Sequence, residues 1–210
     1  MNIDSFINDI SSVSLDSVFN PYRDYCPIHD TKESPMLRRE NLRSYLSYAH
    51  NTGIDTIWMG RDLGYRGGRR TGLALTDEAN LSAFNRLYPG TQIEKSTKSP
   101  LVKERTAAEI WAFLPLLEKP PLLWNVFPFH PYEKNEPFTN RKFTSKELRF
   151  AEEINSLLFS GLGIKSIVAI GNDAEKYASK FGITIRKVRH PSYGGIKDFR
   201  SGLMELYDLI

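Results

Sequence analysis

Apolar residues recur along this chain in two rhythms. Four short runs are largely apolar or β-branched and each is closed by Gly or Pro: 54–59 ahead of Gly60, 122–127 ahead of Pro128, 166–170 ahead of Gly171, and 183–188 ahead of Arg189-His190-Pro191. Runs of this length without strict polar alternation predict parallel strands buried on both faces. Between them the spacing turns helical. Residues 36–50 place Leu37, Leu42, Tyr45, Leu46 and Ala49 largely on one face, and 104–117 contain Ala107, Ala108, Ile110, Trp111 and Leu114. Residues 144–160 open on Thr144-Ser145-Lys146-Glu147, the pattern of a capping box. A short helix over 173–181 and a closing one over 196–207, with Phe199, Leu203 and Leu206 on one face, complete the series.

Strands alternating with helices predict an α/β fold: a three-layer α/β/α domain around a central four-stranded, mostly parallel sheet, spanning residues 1–210 as one unit. Such sheets bind ligands beyond the carboxyl ends of their strands. The chemically unusual residues fall there: Asp62 after the first strand, Asn125 near the end of the second, and His190 after the fourth. Three polar side chains from distant positions are thereby expected on one rim. Taken singly each has an ordinary explanation: Asp62 as a turn cap, Asn125 as a satisfied strand-end amide, His190 as a surface histidine.

Composition narrows the field. Of 210 residues, 40% are hydrophobic and 25% charged, which fits a folded globular chain. No apolar run approaches the length of a membrane span, and the first 18 residues lack the basic start and apolar stretch of a secretory signal. The single cysteine, Cys26, rules out an internal disulfide and a four-cysteine metal cluster. A cytoplasmic monomer without metal or cofactor is the expectation. The net charge of +3 says little, but Arg61, Arg66, Arg69 and Arg70 crowd together among glycines, and Lys187, Arg189 and His190 cluster later. Two basic patches fit a phosphate backbone or, equally for the first, a solvated loop.

Together these residues resemble the uracil-DNA glycosylase superfamily. That superfamily carries a first motif of the form G-Q-D-P-Y-H or G-x-N-P-G, a strand ending in Asn, and a late H-P-S loop. Here Gly60-Arg61-Asp62-Leu63-Gly64-Tyr65 is followed by six residues and then Gly72-Leu73-Ala74-Leu75. Asn125 sits at a strand end, and His190-Pro191-Ser192 comes last. The resemblance runs from about residue 20 to 207, with all three motifs in the expected order.

The resemblance implies hydrolysis of a base–deoxyribose bond in DNA, double- or single-stranded, leaving an abasic site. Asp62 would stabilise the sugar cation and orient water, and His190 would donate to the departing base. Asn125 would read the base edge, with Gly64, Leu75, Arg61 and Tyr65 around it. Arg66, Arg69, Arg70, Ser192, Tyr193 and Gly194 would contact DNA, with Tyr193 slightly preferred over Ile196 as the wedge that fills the gap left by the flipped base. No lysine in these motifs matches a Schiff-base nucleophile.

The departures concern the substrate. Gly64 stands where the uracil-specific branch has a Tyr that blocks the pyrimidine 5-position, and Leu75 stands where it has a stacking Phe. Either change opens the pocket. Uracil, in base excision repair, and a 5-modified pyrimidine both remain admissible. The second possibility includes a bulky cytosine of viral DNA, such as glucosylated hydroxymethylcytosine, removed in phage defence. A non-catalytic module that recognises modified DNA would need Asn125 but not Asp62 with His190, and a hydrolase of free nucleosides would need no basic surface. Two further segments are ambiguous. The Pro-containing stretch 20–24 either lines the DNA groove or begins the domain, and the aromatic stretch 127–132 is expected to pack beneath the pocket.

Overall fold

The computed structural model describes residues 1–209. In chain order it contains α1 (Ile3–Ser12), β1 (Val18–Phe19), α2 (Ser34–Thr52), β2 (Thr56–Asp62), α3 (Gly68–Thr71), α4 (Leu81–Leu87), α5 (Arg105–Phe113), β3 (Leu122–Phe127), β4 (His130–Pro131), α6 (Ser145–Leu162), β5 (Ser166–Ile170), α7 (Asn172–Ala178), β6 (Thr184–Val188) and α8 (Ile196–Leu206). Strands β3-β2-β5-β6 form a four-stranded sheet in which every described pair is parallel. Helices flank it in the expected α/β/α arrangement. A two-residue antiparallel pair, β1 with β4, lies apart from it and sets Phe19 opposite His130.

The predicted strands at 122–127 and 166–170 form with those bounds, and the last begins one residue late. The first is displaced: it runs through Gly60 and ends on Asp62. Gly60 continues the strand because it pairs with Asn125 across the parallel ladder, and Asp62 pairs with Phe127. Asp62 is therefore a strand-end residue fixed by sheet hydrogen bonds, rather than a cap in a loose turn.

Local chemistry accounts for the helix ends. Thr144 accepts from the Glu147 amide at 3.2 Å, and the Glu147 carboxylate accepts from the Thr144 amide at 2.6 Å, closing the capping box. Gly53 and Gly163 end α2 and α6 in the left-handed conformation that glycine enters without strain. Helix α1 is not among the predicted elements, although Ile3, Phe6, Ile7 and Ile10 fall at helical spacing; Phe6, Ile7 and Ile10 are all buried. Stretch 20–24 does not begin the domain, since α1 precedes it in the core, and it is anchored there: Asn20 is buried and donates to the Ile10 and Val13 carbonyls, and the Tyr22 hydroxyl donates to the Gly72 carbonyl. Phe127 and Phe129 pack beneath the strand ends, fully buried, edge to face at 5.3 Å.

Strand β3 is tied to α6 by Asn155, which accepts from the Trp124 indole at 2.8 Å and donates to the Val126 carbonyl at 2.8 Å. Among the described residues no helix is long and apolar enough to cross a membrane. Thr144→Ala should lower the unfolding free energy by about 1 kcal/mol, as loss of an N-cap does; denaturant titration of both proteins measures it, and an unchanged midpoint contradicts the capping role.

Candidate active site

The parallel sheet delivers its strand ends to one cavity of about 750 Å³. Its wall contains Gly60, Asp62, Asn125 and His190, so the three polar residues picked out along the sequence do meet. The cavity is in the size range that encloses a sizeable small-molecule ligand.

Asp62 is largely buried, its side chain 8% exposed, and both carboxylate oxygens face the neighbouring Arg61 guanidinium: Nε lies 2.5 Å from one and Nη2 3.4 Å from the other. Arg61 also reaches Asp173 at 3.4 Å, and Lys142 holds Asp173 at 2.9 Å. A charged chain, Asp62–Arg61–Asp173–Lys142, thus runs along one wall. Burial pushes the Asp62 carboxyl up to about 6, against the opposing pull of Arg61. A carboxylate this enclosed still ionises near neutral pH because the guanidinium stays beside it.

His190 is fixed in one tautomer. Its Nδ1 accepts from the Ser192 backbone amide at 3.1 Å and faces the Ser192 hydroxyl at 2.8 Å. A ring nitrogen that accepts from a backbone N–H carries no proton, so the proton of the neutral ring lies on Nε2 as a donor. Burial, then the charges of Arg61 and Arg189, lower the imidazole pKa and keep the ring neutral. Gly171 makes room for this ring: at φ +89 it lies where a Cβ would approach His190 Cβ to 3.1 Å.

Asn125 is 1% exposed, and its Oδ1 has no hydrogen-bond partner. Leaving such a group unpaired costs roughly 1–3 kcal/mol, and a ligand that donates to it recovers that cost. A Cβ at Gly60 would collide with this oxygen, so the glycine is what admits the amide. Leu75 faces the same space from a left-handed backbone, φ +54, a strained conformation for leucine. At Gly64 a Cβ would meet nothing within 4 Å, so the wall is open there.

The remaining expected residues divide. Ser192 and Tyr193 line the cavity, and Tyr193 stands 97% exposed at its edge with φ +52. Gly194 follows it at φ +78 without entering the wall. Tyr65 does not line the cavity; its hydroxyl accepts from Arg66 Nε at 2.8 Å, and both lie outside. Arg61 lines the wall, but its guanidinium is engaged by two carboxylates rather than open to a base. Arg69 and Arg70 are interior residues rather than part of an exposed basic loop, because the short helix α3 turns both side chains inward. Arg70 pairs with buried Glu78 at 2.9 Å and also bonds Thr97, Ser99 and the Pro100 carbonyl. Lys187 pairs with Glu175, leaving Arg189 and His190 as the later patch's contribution to the cavity.

Sequence reasoning missed Thr76, Glu104 and Thr106 in the wall, and Asn140-Arg141-Lys142 on another side. Neither segment bears a motif; Glu104 is legible only as the cap of α5, where its carboxylate accepts from the Thr106 and Ala107 amides at 3.0 Å. Among the described residues no three His, Cys, Asp or Glu side chains converge as metal ligands.

No family model matches the chain, and no curated protein matches it by sequence. Among solved structures, wild-type SMUG2 of Pedobacter heparinus is similar over 98% of this chain and 92% of its own, with a TM-score of 0.63 and 18% identity. The two share a fold.

An NMR titration of the side-chain carboxyls should find Asp62 changing protonation near pH 6. In Arg61→Gln the midpoint should move higher, since the stabilising cation is gone while burial remains. A midpoint in the ordinary aspartate range, or one that falls on removing Arg61, contradicts this account of the site.

Proposed function

We propose that this chain is a monofunctional DNA glycosylase that takes a flipped pyrimidine into the cavity and hydrolyses its N-glycosidic bond, leaving an abasic site. The observation that carries the reading is the meeting, in one cavity, of a buried carboxylate, a neutral imidazole with its donor nitrogen free, and an amide whose oxygen is unpaired. Breaking the bond places positive charge on the sugar and negative charge on the base. Asp62 stabilises the first charge and orients water; His190 donates from Nε2 to the base oxygen and stabilises the second. Asn125 reads the pyrimidine edge, its amide able to present either face. Arg61 is a positioning residue that keeps Asp62 ionised. The fold shared with SMUG2, a glycosylase of the uracil-DNA glycosylase superfamily, supports the reaction class by analogy. Tyr193, exposed at the cavity edge, would enter the duplex where the base leaves.

The open wall at Gly64 favours a base with a large 5-substituent over uracil alone. Polar side chains at Thr76, Glu104 and Thr106 also line the cavity and suit a hydroxylated group. Excision of a bulky modified cytosine from viral DNA fits this shape. Repair of uracil is the second reading, favoured by the motifs themselves. Lys142 lies on the wall but is held by Asp173, which fits a reaction without a Schiff base.

The test is incubation with oligonucleotides carrying uracil, mismatched thymine, 5-hydroxymethylcytosine or its glucosylated form, followed by alkali to reveal abasic sites. At least one should yield product, and Asp62→Asn should lower the rate at saturating DNA by roughly 100-fold or more. That rate should fall as pH drops below about 6, where Asp62 becomes protonated. Gly64→Tyr should lose the substituted bases and keep uracil. Intact DNA throughout the panel overturns the reading, and equal loss of all substrates in Gly64→Tyr overturns the assignment of the 5-position.

A further inference from the structure

A second cavity, of about 770 Å³, shares no wall residue with the first. It lies between the segment 14–28 and the turn 132–138, and Arg69 closes its inner end. Arg69 is 5% exposed, yet no carboxylate pairs with it. The carboxylate whose charge acts on it, Asp30, is bound through both oxygens to Arg38, at 2.5 and 3.0 Å. A buried cation without a counter-ion is costly.

What holds Arg69 is aromatic and neutral. Its guanidinium carbon lies 3.8 Å from the Phe19 ring centroid, 5.3 Å from that of Phe138 and 6.0 Å from that of Tyr132. One nitrogen, Nη1, donates to His130 Nδ1 at 3.0 Å, while His130 Nε2 donates to the Thr139 carbonyl at 2.8 Å. That arrangement requires neutral His130, and burial with the charge of Arg69 pushes the ring down to about 4. The Nε–Nη2 edge of Arg69 has no oxygen or nitrogen acceptor among the described residues; besides His130, the side chain's hydrogen-bonding neighbour is the Cys26 thiol, a weak acceptor. This edge is the one that receives two oxygens of a phosphate or carboxylate side by side. The cavity's carboxylate, Asp24, is held by Arg23 at 3.2 Å and by the Asn20 amide at 2.8 Å, so the wall keeps one uncompensated positive charge. At the mouth stand Tyr25 and Ile28, 46% and 61% exposed.

A cation at the inner end, aromatic walls and an apolar mouth suit an anion that carries a flat ring, and the volume exceeds what an inorganic ion fills. We infer that this cavity is a second binding site, for a nucleotide whose phosphate is received by the free edge of Arg69 and whose base stacks on Tyr25 or Phe138. The nucleotide is either free or the phosphorylated end of a DNA strand; the phosphate chemistry is the same. The site is independent of base excision in the first cavity, though Arg69 follows directly on Gly68, which lines it.

Calorimetric titration with thymidine 5′-monophosphate, thymidine and a 5′-phosphorylated or unphosphorylated oligonucleotide tests this. The monophosphate should bind and thymidine should bind at least ten-fold more weakly. A gain from 5′-phosphorylation of the oligonucleotide identifies the strand end as the source, and no gain identifies the free nucleotide. Arg69→Met should abolish monophosphate binding. Ile28→Glu, an exposed change that leaves the interior intact, should weaken it at least ten-fold by placing a negative charge at the mouth, which keeps the test decisive where Arg69→Met does not fold. Asn125→Ala, in the first cavity, should leave it unchanged. No binding of the monophosphate, binding that survives Ile28→Glu, or binding lost in Asn125→Ala overturns the inference.

Discussion

Everything at the candidate site depends on β2 being hydrogen-bonded along both edges by parallel neighbours. Pairing with β3 and β5 fixes β2 in register, and because all the strands run the same way, their chemically distinct ends arrive at one place. The tightest point of that arrangement is Gly60 against Asn125, where a side chain on β2 would occupy the position of the amide oxygen. Two residues further, the same strand ends on Asp62. One stretch of sheet therefore seats both the Asn125 amide and the Asp62 carboxylate, and their separation is set by backbone hydrogen bonds rather than by flexible loops.

Electrostatics then differentiates the polar groups. Burial raises the affinity of Asp62 for a proton and lowers that of His190, so the two move towards each other on the pH scale. Arg61 prevents the first shift from neutralising Asp62 and adds to the second, and in that way one guanidinium supports an ionised carboxylate and a neutral imidazole together. An anionic group beside a neutral donor suits a bond that breaks with opposite charges on its two sides. Ser192, by donating its backbone N–H to Nδ1, leaves the donor of His190 on the other ring nitrogen.

Much of the sheet was legible because buried parallel strands announce themselves as short apolar runs ending in Gly or Pro. The strand that misled was β2, whose run ends at Met59 although pairing continues at Gly60 and Asp62; glycine reads as a terminator, but here it answers a close approach that only the folded partner supplies. The convergence of Asp62, Asn125 and His190 was legible from their positions at the carboxyl ends of the expected parallel strands. The fates of the arginines were not. Arg66 is exposed, while Arg69 and Arg70, in a four-residue helix too short to show a period, turn inward to aromatic rings and to Glu78. The walls built by Thr76, Glu104, Thr106 and Asn140-Arg141-Lys142 carry no motif, since their place in the cavity comes from tertiary packing alone.

The substrate reading turns on empty space. A tyrosine at position 64 would narrow the cavity, and the glycine there is not demanded by its own backbone or by any neighbour within reach of a Cβ. The absence of a side chain is thus available for recognition. The most direct test of the central claim is mass spectrometry of the small molecules released when the protein acts on DNA bearing uracil or 5-substituted cytosines. The account predicts a free pyrimidine base in equal number to abasic sites, with release lost in Asp62→Asn. Release of nucleotides or nucleosides instead of bases, or base release that persists undiminished without the Asp62 carboxylate, would contradict it.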